Sequence, residues 1–296
     1  MRLVRYEASD GVIRLGALTD RGVIHLEAAA QSHGISAEYL ADIQTFLTAG
    51  EIALNEARKL VENVPQSALI PIFNVVVRTP VPRPGKIIAV GLNYRDHSME
   101  AGAKAPPATP IIFAKFTTSV CGPGDAIVIP AGDPQVDYEA ELAVVIGRKA
   151  KGIAAANALQ YVAGYMALND VSARAWQFAD KQWVRGKSCD TFCPIGPCLT
   201  TPDDVPDPHS LAICTRVNGA TLQDSNTSKM IFRVPELLEF ISAGITLEPG
   251  DIIATGTPEG VGVFRTPPIF LKPGDIVEIE IEKLGILRNP VVGAQA

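Results

Sequence analysis

The chain has 296 residues, 47% of them hydrophobic and 20% charged, with a formal net charge of −6. This is globular composition with ample material for a core, and the length suits one large domain plus a smaller one. The acidic balance argues against a nucleic-acid partner, whose phosphates require a basic face.

No apolar run approaches the roughly 20 residues that cross a bilayer, so no membrane span is expected. The segment Met1–Glu7 lacks the apolar core of a secretory leader, and a cytoplasmic location is the expectation. Cys189, Cys193 and Cys198 cluster without neighbouring histidines, and five cysteines are an odd number. They read as free thiols rather than a disulfide framework or a zinc site.

In chain order, the apolar runs Leu3–Glu7, Val12–Leu18 and Val23–Leu26 are separated by Asp10-Gly11 and Asp20-Arg21-Gly22, which predicts a small meander. Ser36 can cap a helix whose apolar positions Leu40, Ile43 and Phe46 or Leu47 keep helical spacing until Gly50. A second helix follows over about Glu51–Val61. Arg78-Thr79-Pro80-Val81-Pro82-Arg83-Pro84-Gly85 is an extended connector, because its prolines block helix and remove ladder donors. The expected boundary falls there, giving a small N-terminal domain 1–78 and a larger domain 79–296.

Lys86–Gly91 predicts a buried strand, and Asn93–Gly102 a short helix with His97 and Glu100 on one face. A carboxylate three residues from a histidine orients the ring for general-base work, although a surface ion pair has the same spacing. Ile111–Lys115 and Ile127–Pro130 read as short strands. Asp137–Gly147 carries the clearest chemical signal. Rich in Val, Ile, Leu and Tyr, it predicts a strand with Asp137, Glu139 and Glu141 on one side and Tyr138, Ala140 and Leu142 on the other. Adjacent carboxylates repel, so a cation is expected over Glu139 and Glu141; the plainer alternative is an edge strand with solvated acids.

The apolar run Tyr161–Asn169 ends abruptly at Asp170, at a predicted strand-to-helix junction, where Asp170 either presents its carboxylate or caps the helix. Arg174 and Gln177 follow on its side of that helix. Arg185-Gly186-Lys187-Ser188 is a basic turn without the upstream glycine of a phosphate loop. Further on come a hairpin turn at Asn218-Gly219, a helix over Val234–Ile241, and a glycine-rich loop at Thr255–Gly262. Ile276–Glu282 closes the series as a strand with one wet face.

Three carboxylates (Glu139, Glu141, Asp170), the His97–Glu100 pair and the cations Arg174 and Lys187 therefore fall on separate elements of one domain. Oxygen ligands without thiolate or imidazole suit a hard ion, Mg²⁺, Mn²⁺ or Ca²⁺. Three acids and one divalent ion leave a net charge of about −1, which Lys187 or Arg174 would balance. Open coordination positions argue for catalysis over a purely structural ion.

The motifs Gly91-Leu92-Asn93-Tyr94-x-x-His97-x-x-Glu100, Tyr138-Glu139-x-Glu141-Leu142, Asn169-Asp170-x-Ser172-x-Arg174-x-x-Gln177 and Gly186-Lys187-Ser188 resemble the fumarylacetoacetate hydrolase family. So do Val217-Asn218-Gly219, Thr227–Phe232 and Gly256-Thr257-Pro258-x-Gly260-Val261-Gly262, in order across about 80–296. The N-terminal segment resembles the accessory domain of bacterial two-domain members.

The resemblance implies an α+β fold with a mixed β-roll catalytic domain, a homodimer, and Mg²⁺ or Mn²⁺ on Glu139, Glu141 and Asp170. It implies His97 with Glu100 as the water-activating dyad, and Arg174, Gln177, Lys187 and Thr257 as contacts to substrate oxygens. The expected activity is hydrolysis of a C–C bond in an acylpyruvate-type 2-oxo acid, with Lys187 and the metal stabilising the enolate. Alternatives on the same site are oxaloacetate decarboxylation and isomerisation or hydration of a 2-hydroxymuconate-type acid. A metal-dependent binder without catalysis is a different class, and the intact His97–Glu100 pair argues against it.

Overall fold

The computed structural model describes residues 1–64, 69–132 and 135–294. A 12-stranded sheet organises the α+β fold, with Ala140–Ile146 near its centre between Val162–Asn169 and Ile252–Ala254. Ile252–Ala254 continues in parallel onto Ile87–Gly91, and Ile111–Lys115 forms the edge beyond it. A five-stranded sheet, including Ala212–Val217, Ile276–Ile281 and Gly285–Gly293, lies against one face.

Two cores share the central strand. Leu142, Val144 and Ile146 pack with Ile213, Val277, Ile279 and Leu287 of the smaller sheet. Ala143 and Val145 face the other way, into a core with Ile43, Phe46, Ala53 and Leu60 of the N-terminal helices. Burial on both faces is what its unbroken apolar run selects, so the alternative of an edge strand with solvated acids does not hold. The acidic stretch is also not one strand: Val136–Asp137 pairs with Ser172–Ala173, and the main ladder begins at Ala140.

The predicted meander is present as Arg2–Glu7, Ile13–Thr19 and Gly22–His25. Its first strand joins the main sheet through Arg2–Thr200 and Leu3–Leu199 pairs. The helix Ile43–Ala49 is capped by Asp42, which accepts from the Gln44 and Thr45 amides, and not by Ser36. Ser36 instead precedes a separate 3₁₀ turn, Glu38–Leu40. Asp170 is not a helix cap either, because Ser172–Ala173 intervenes before the helix Arg174–Asp180. Lys187 ends a short helix, Val184–Lys187, where a turn was predicted.

Candidate active site

Strand register assembles the carboxylates. Ala140 lies opposite Asn169 and Glu141 opposite Leu168, so the start of one strand meets the end of the next. The Asp170 amide donates to the Glu139 carbonyl at 2.9 Å, fixing the two chain ends together. Glu139, Glu141 and Asp170, all buried, thereby offer oxygens that lie within 4.8 Å of one another.

Cations surround this cluster unevenly. Lys187 Nζ reaches Glu139 Oε2 at 2.6 Å and Asp170 Oδ2 at 2.8 Å. Arg174 reaches Glu139 Oε1 and Asp137 Oδ1, both at 2.6 Å, and Gln177 Oε1 at 2.9 Å. Lys115 Nζ holds Asp170 Oδ1 at 2.5 Å. Among the described residues no cation pairs with Glu141, whose Oε2 accepts only the Gly256 amide, at 2.7 Å. Four carboxylates, counting Asp137, thus face three cations.

The titration directions follow. Burial opposes ionisation of Glu139, but Lys187 and Arg174 hold its carboxyl well below the usual glutamate range. Burial, then Asp170 and Glu139, push the Glu141 carboxyl well up. Burial disfavours the Lys187 ammonium, yet Asp170 and Glu139 keep its pKa above that of an ordinary lysine. The cluster is therefore short of one positive charge, and an oxygen-only donor set with that deficit fits a hard divalent ion.

His97 Nδ1 lies 3.2 Å from Glu100 Oε2, as the three-residue spacing predicted, while Glu100 Oε1 accepts the Gly260 amide at 3.0 Å. His97 packs against Phe264, with ring centroids 6.0 Å apart. A cavity of about 250 Å³ brings His97 together with Glu139, Glu141, Asp170, Arg174, Gln177, Lys187 and Thr257. Its apolar wall comes from Phe113, Phe178, Trp183 and Phe264. Glu100 does not line it and stands behind the imidazole. A larger cavity of about 450 Å³, near Phe46, Leu54 and Leu199, contains none of these side chains.

Sequence reasoning missed the residues that hold the site in place. Lys115 closes an apolar strand and gave only a charged end-residue as its signal. Asn93, fully buried, donates to the Phe232 and Thr255 carbonyls and accepts from the Phe232 amide, tying three segments beside the triad. Gln223 donates to Thr257 Oγ1 at 2.8 Å and to the Pro258 carbonyl.

The chain belongs to the fumarylacetoacetate (FAA) hydrolase family, whose C-terminal domain profile matches residues 86–292. It is 51% identical over 248 residues to the rat mitochondrial oxaloacetate tautomerase Fahd2a, covering 83% of this chain and 78% of that protein. With the human mitochondrial oxaloacetate tautomerase FAHD2A it shares 46% identity over 297 residues, covering 99% of this chain and 92% of the other. Among solved structures, maleylpyruvate hydrolase from Sphingobium sp. SYK-6, in complex with manganese(II) ion and pyruvate, superposes with a TM-score of 0.80 at 32% identity, all of both chains being covered. The protein is thus an enzyme of a family that binds divalent metal, with a carboxylate triad suited to one.

The expected cytoplasmic location is overturned by these relatives, which are named as mitochondrial proteins. Mitochondrial leaders are amphipathic and Arg-rich, so the lack of an apolar leader core never discriminated against one.

Proposed function

We propose that this enzyme moves a proton at the carbon beside the keto group of a 2-oxo acid, interconverting the keto and enol forms of oxaloacetate or a close analogue. The observation that carries this reading is His97, backed by Glu100, lining the same cavity as the carboxylate triad and Lys187. The oxaloacetate tautomerases that match nearly the whole chain support the substrate class.

Glu139, Glu141 and Asp170 would hold Mg²⁺ or Mn²⁺. A divalent ion bound there supplies Lewis acidity and a template for a chelating 2-oxo acid. His97 takes the proton from C3 through Nε2, since Nδ1 is engaged by Glu100. The electron pair of the C–H bond moves into the C2–C3 bond, and the C2 oxygen takes up the charge and then a proton, giving the enol; reversal returns the keto acid. Glu100 orients the ring and stabilises the imidazolium. Lys187 and Arg174 place positive charge where the oxyanion develops. Gln177 and Thr257 are read as contacts to substrate oxygens, and the aromatic wall excludes water.

The test is the decay of the enol absorbance of freshly dissolved oxaloacetate, with and without added Mn²⁺. A metal-dependent acceleration is expected, falling at least about a hundredfold in His97→Ala. A wild-type rate equal to buffer would refute the reading.

A second reading is C–C hydrolysis of an acylpyruvate-type acid, favoured by the likeness to maleylpyruvate hydrolase. The same dyad would then deprotonate water in place of C3. Pyruvate release from acylpyruvates, absent from the tautomerisation, separates the two.

A further inference from the structure

Asp170 already accepts a lysine ammonium on each of its carboxylate oxygens, so an ion that joins the triad arrives beside one of them. Lys115 Nζ holds Oδ1 at 2.5 Å and Lys187 Nζ holds Oδ2 at 2.8 Å. An ammonium on the oxygen shared with the ion repels it, so the lysine on that oxygen is the one to move. The two are placed very differently. Lys187 lines the cavity and bridges Glu139 to Asp170, which puts its ammonium between two of the three candidate ligands.

Lys115 has no exposed side-chain surface, does not line the cavity, and also donates to the backbone carbonyl of Lys187. That second bond ties the edge strand Ile111–Lys115 to the helix Val184–Lys187. Withdrawing Lys115 would strand a buried ammonium, whereas Lys187 has the cavity to turn into.

We infer that Lys115 is a positioning residue that fixes Asp170 by Oδ1 so that Oδ2 faces the ion site, while Lys187 is a resident cation that the ion displaces toward substrate. This rests on the metal reading proposed above. Electrostatics alone predicts a different outcome: each lysine repels an incoming cation, so deleting either would tighten metal binding. Positioning predicts opposite signs for the two lysines, because an orienting partner of a ligand supports affinity ten- to hundredfold.

Calorimetric titration of Mn²⁺ into the full chain decides between them. Lys115→Met should bind Mn²⁺ about ten- to hundredfold more weakly than wild type. Lys187→Met should bind at least as tightly as wild type. Lys115→Gln, which keeps a donor for Asp170, should recover part of the loss. Wild-type affinity or better in Lys115→Met overturns the proposal. Should that variant fail to fold by circular dichroism, Lys115→Gln carries the decision: binding equal to or weaker than wild type upholds the role, and the tighter binding that loss of a repelling charge alone predicts overturns it. Absence of Mn²⁺ binding by the wild type would instead overturn the metal reading, and this proposal with it.

Discussion

Glu141 accepts the Gly256 amide at 2.7 Å and, among the described residues, forms no ion pair. It sits 2% exposed beside two other carboxylates, and burial with its neighbours Asp170 and Glu139 raises its pKa well above the glutamate range. Metal-free protein therefore binds a proton at Glu141 more tightly folded than unfolded. The unfolded state holds fewer protons as pH climbs above about 4.3, so folding stability falls until the folded pKa is passed. Glu141→Gln removes the titrating group and keeps an acceptor for Gly256. In chelator-treated protein, its melting temperature should exceed that of wild type at neutral pH and depend less on pH. Added Mn²⁺ should raise the wild-type melting temperature and leave the variant's unchanged. A variant that melts below wild type across that range would show that Glu141 is already compensated without metal.

Gly256 itself has φ +97°, a region that side chains avoid, and an added Cβ would meet Asn93 Cβ at 2.8 Å. Gly256→Ala should cost about 1–3 kcal/mol in denaturant unfolding. It should also weaken Mn²⁺ binding, because it moves the amide that orients Glu141. Unchanged stability would mean that the loop repacks freely around Asn93.

Glu100 is the group behind His97, and its other oxygen holds the Gly260 amide at 3.0 Å. Glu100→Gln keeps that acceptor but removes the charge facing the imidazolium. kcat should fall on the order of a hundredfold, with Mn²⁺ affinity unaffected. Steady-state kinetics beside calorimetry checks this, and a loss of metal binding in step with kcat would place Glu100 in the metal site instead.

The aromatic wall is held close to the backbone. A Cβ on Gly91 would approach Trp183 Cζ3 to 2.4 Å, so Gly91→Ala has to push the indole aside. KM should rise several-fold and the tryptophan fluorescence should change, while Mn²⁺ affinity holds. Unaltered fluorescence and KM would show that Trp183 does not shape the pocket.

The carboxylate cluster was legible because largely local rules point to it. Two glutamates two apart pointed to one side of a predicted strand, and although Glu139 lies just before the strand that carries Glu141, the two still converge; an aspartate ending an apolar run sits at a strand terminus. The His97–Glu100 contact likewise needs only helical spacing. Lys115 was not legible, since its partner Asp170 lies 55 residues away and the pairing depends on sheet order. The same holds for the first strand, whose Arg2–Thr200 pairing leaves no local trace. Ser36 and Asp42 are both good caps; which one worked depended on the turn between them. Burial of Ala140–Ile146 on both faces was written in its composition, but the preceding acids left an edge strand with solvated acids open as an alternative.

Proton transfer at C3 by His97 is tested most directly by hydrogen–deuterium exchange. 2-Oxobutanoate carries C3 hydrogens and no group that decarboxylates from C3, so NMR in D₂O with Mg²⁺-loaded protein reads that step alone. Loss of the C3 proton signal should be enzyme- and Mg²⁺-dependent, and it should fall to the buffer rate in His97→Ala. Exchange at the wild-type rate in His97→Ala, or no exchange by a wild-type enzyme that cleaves acylpyruvates, would contradict it.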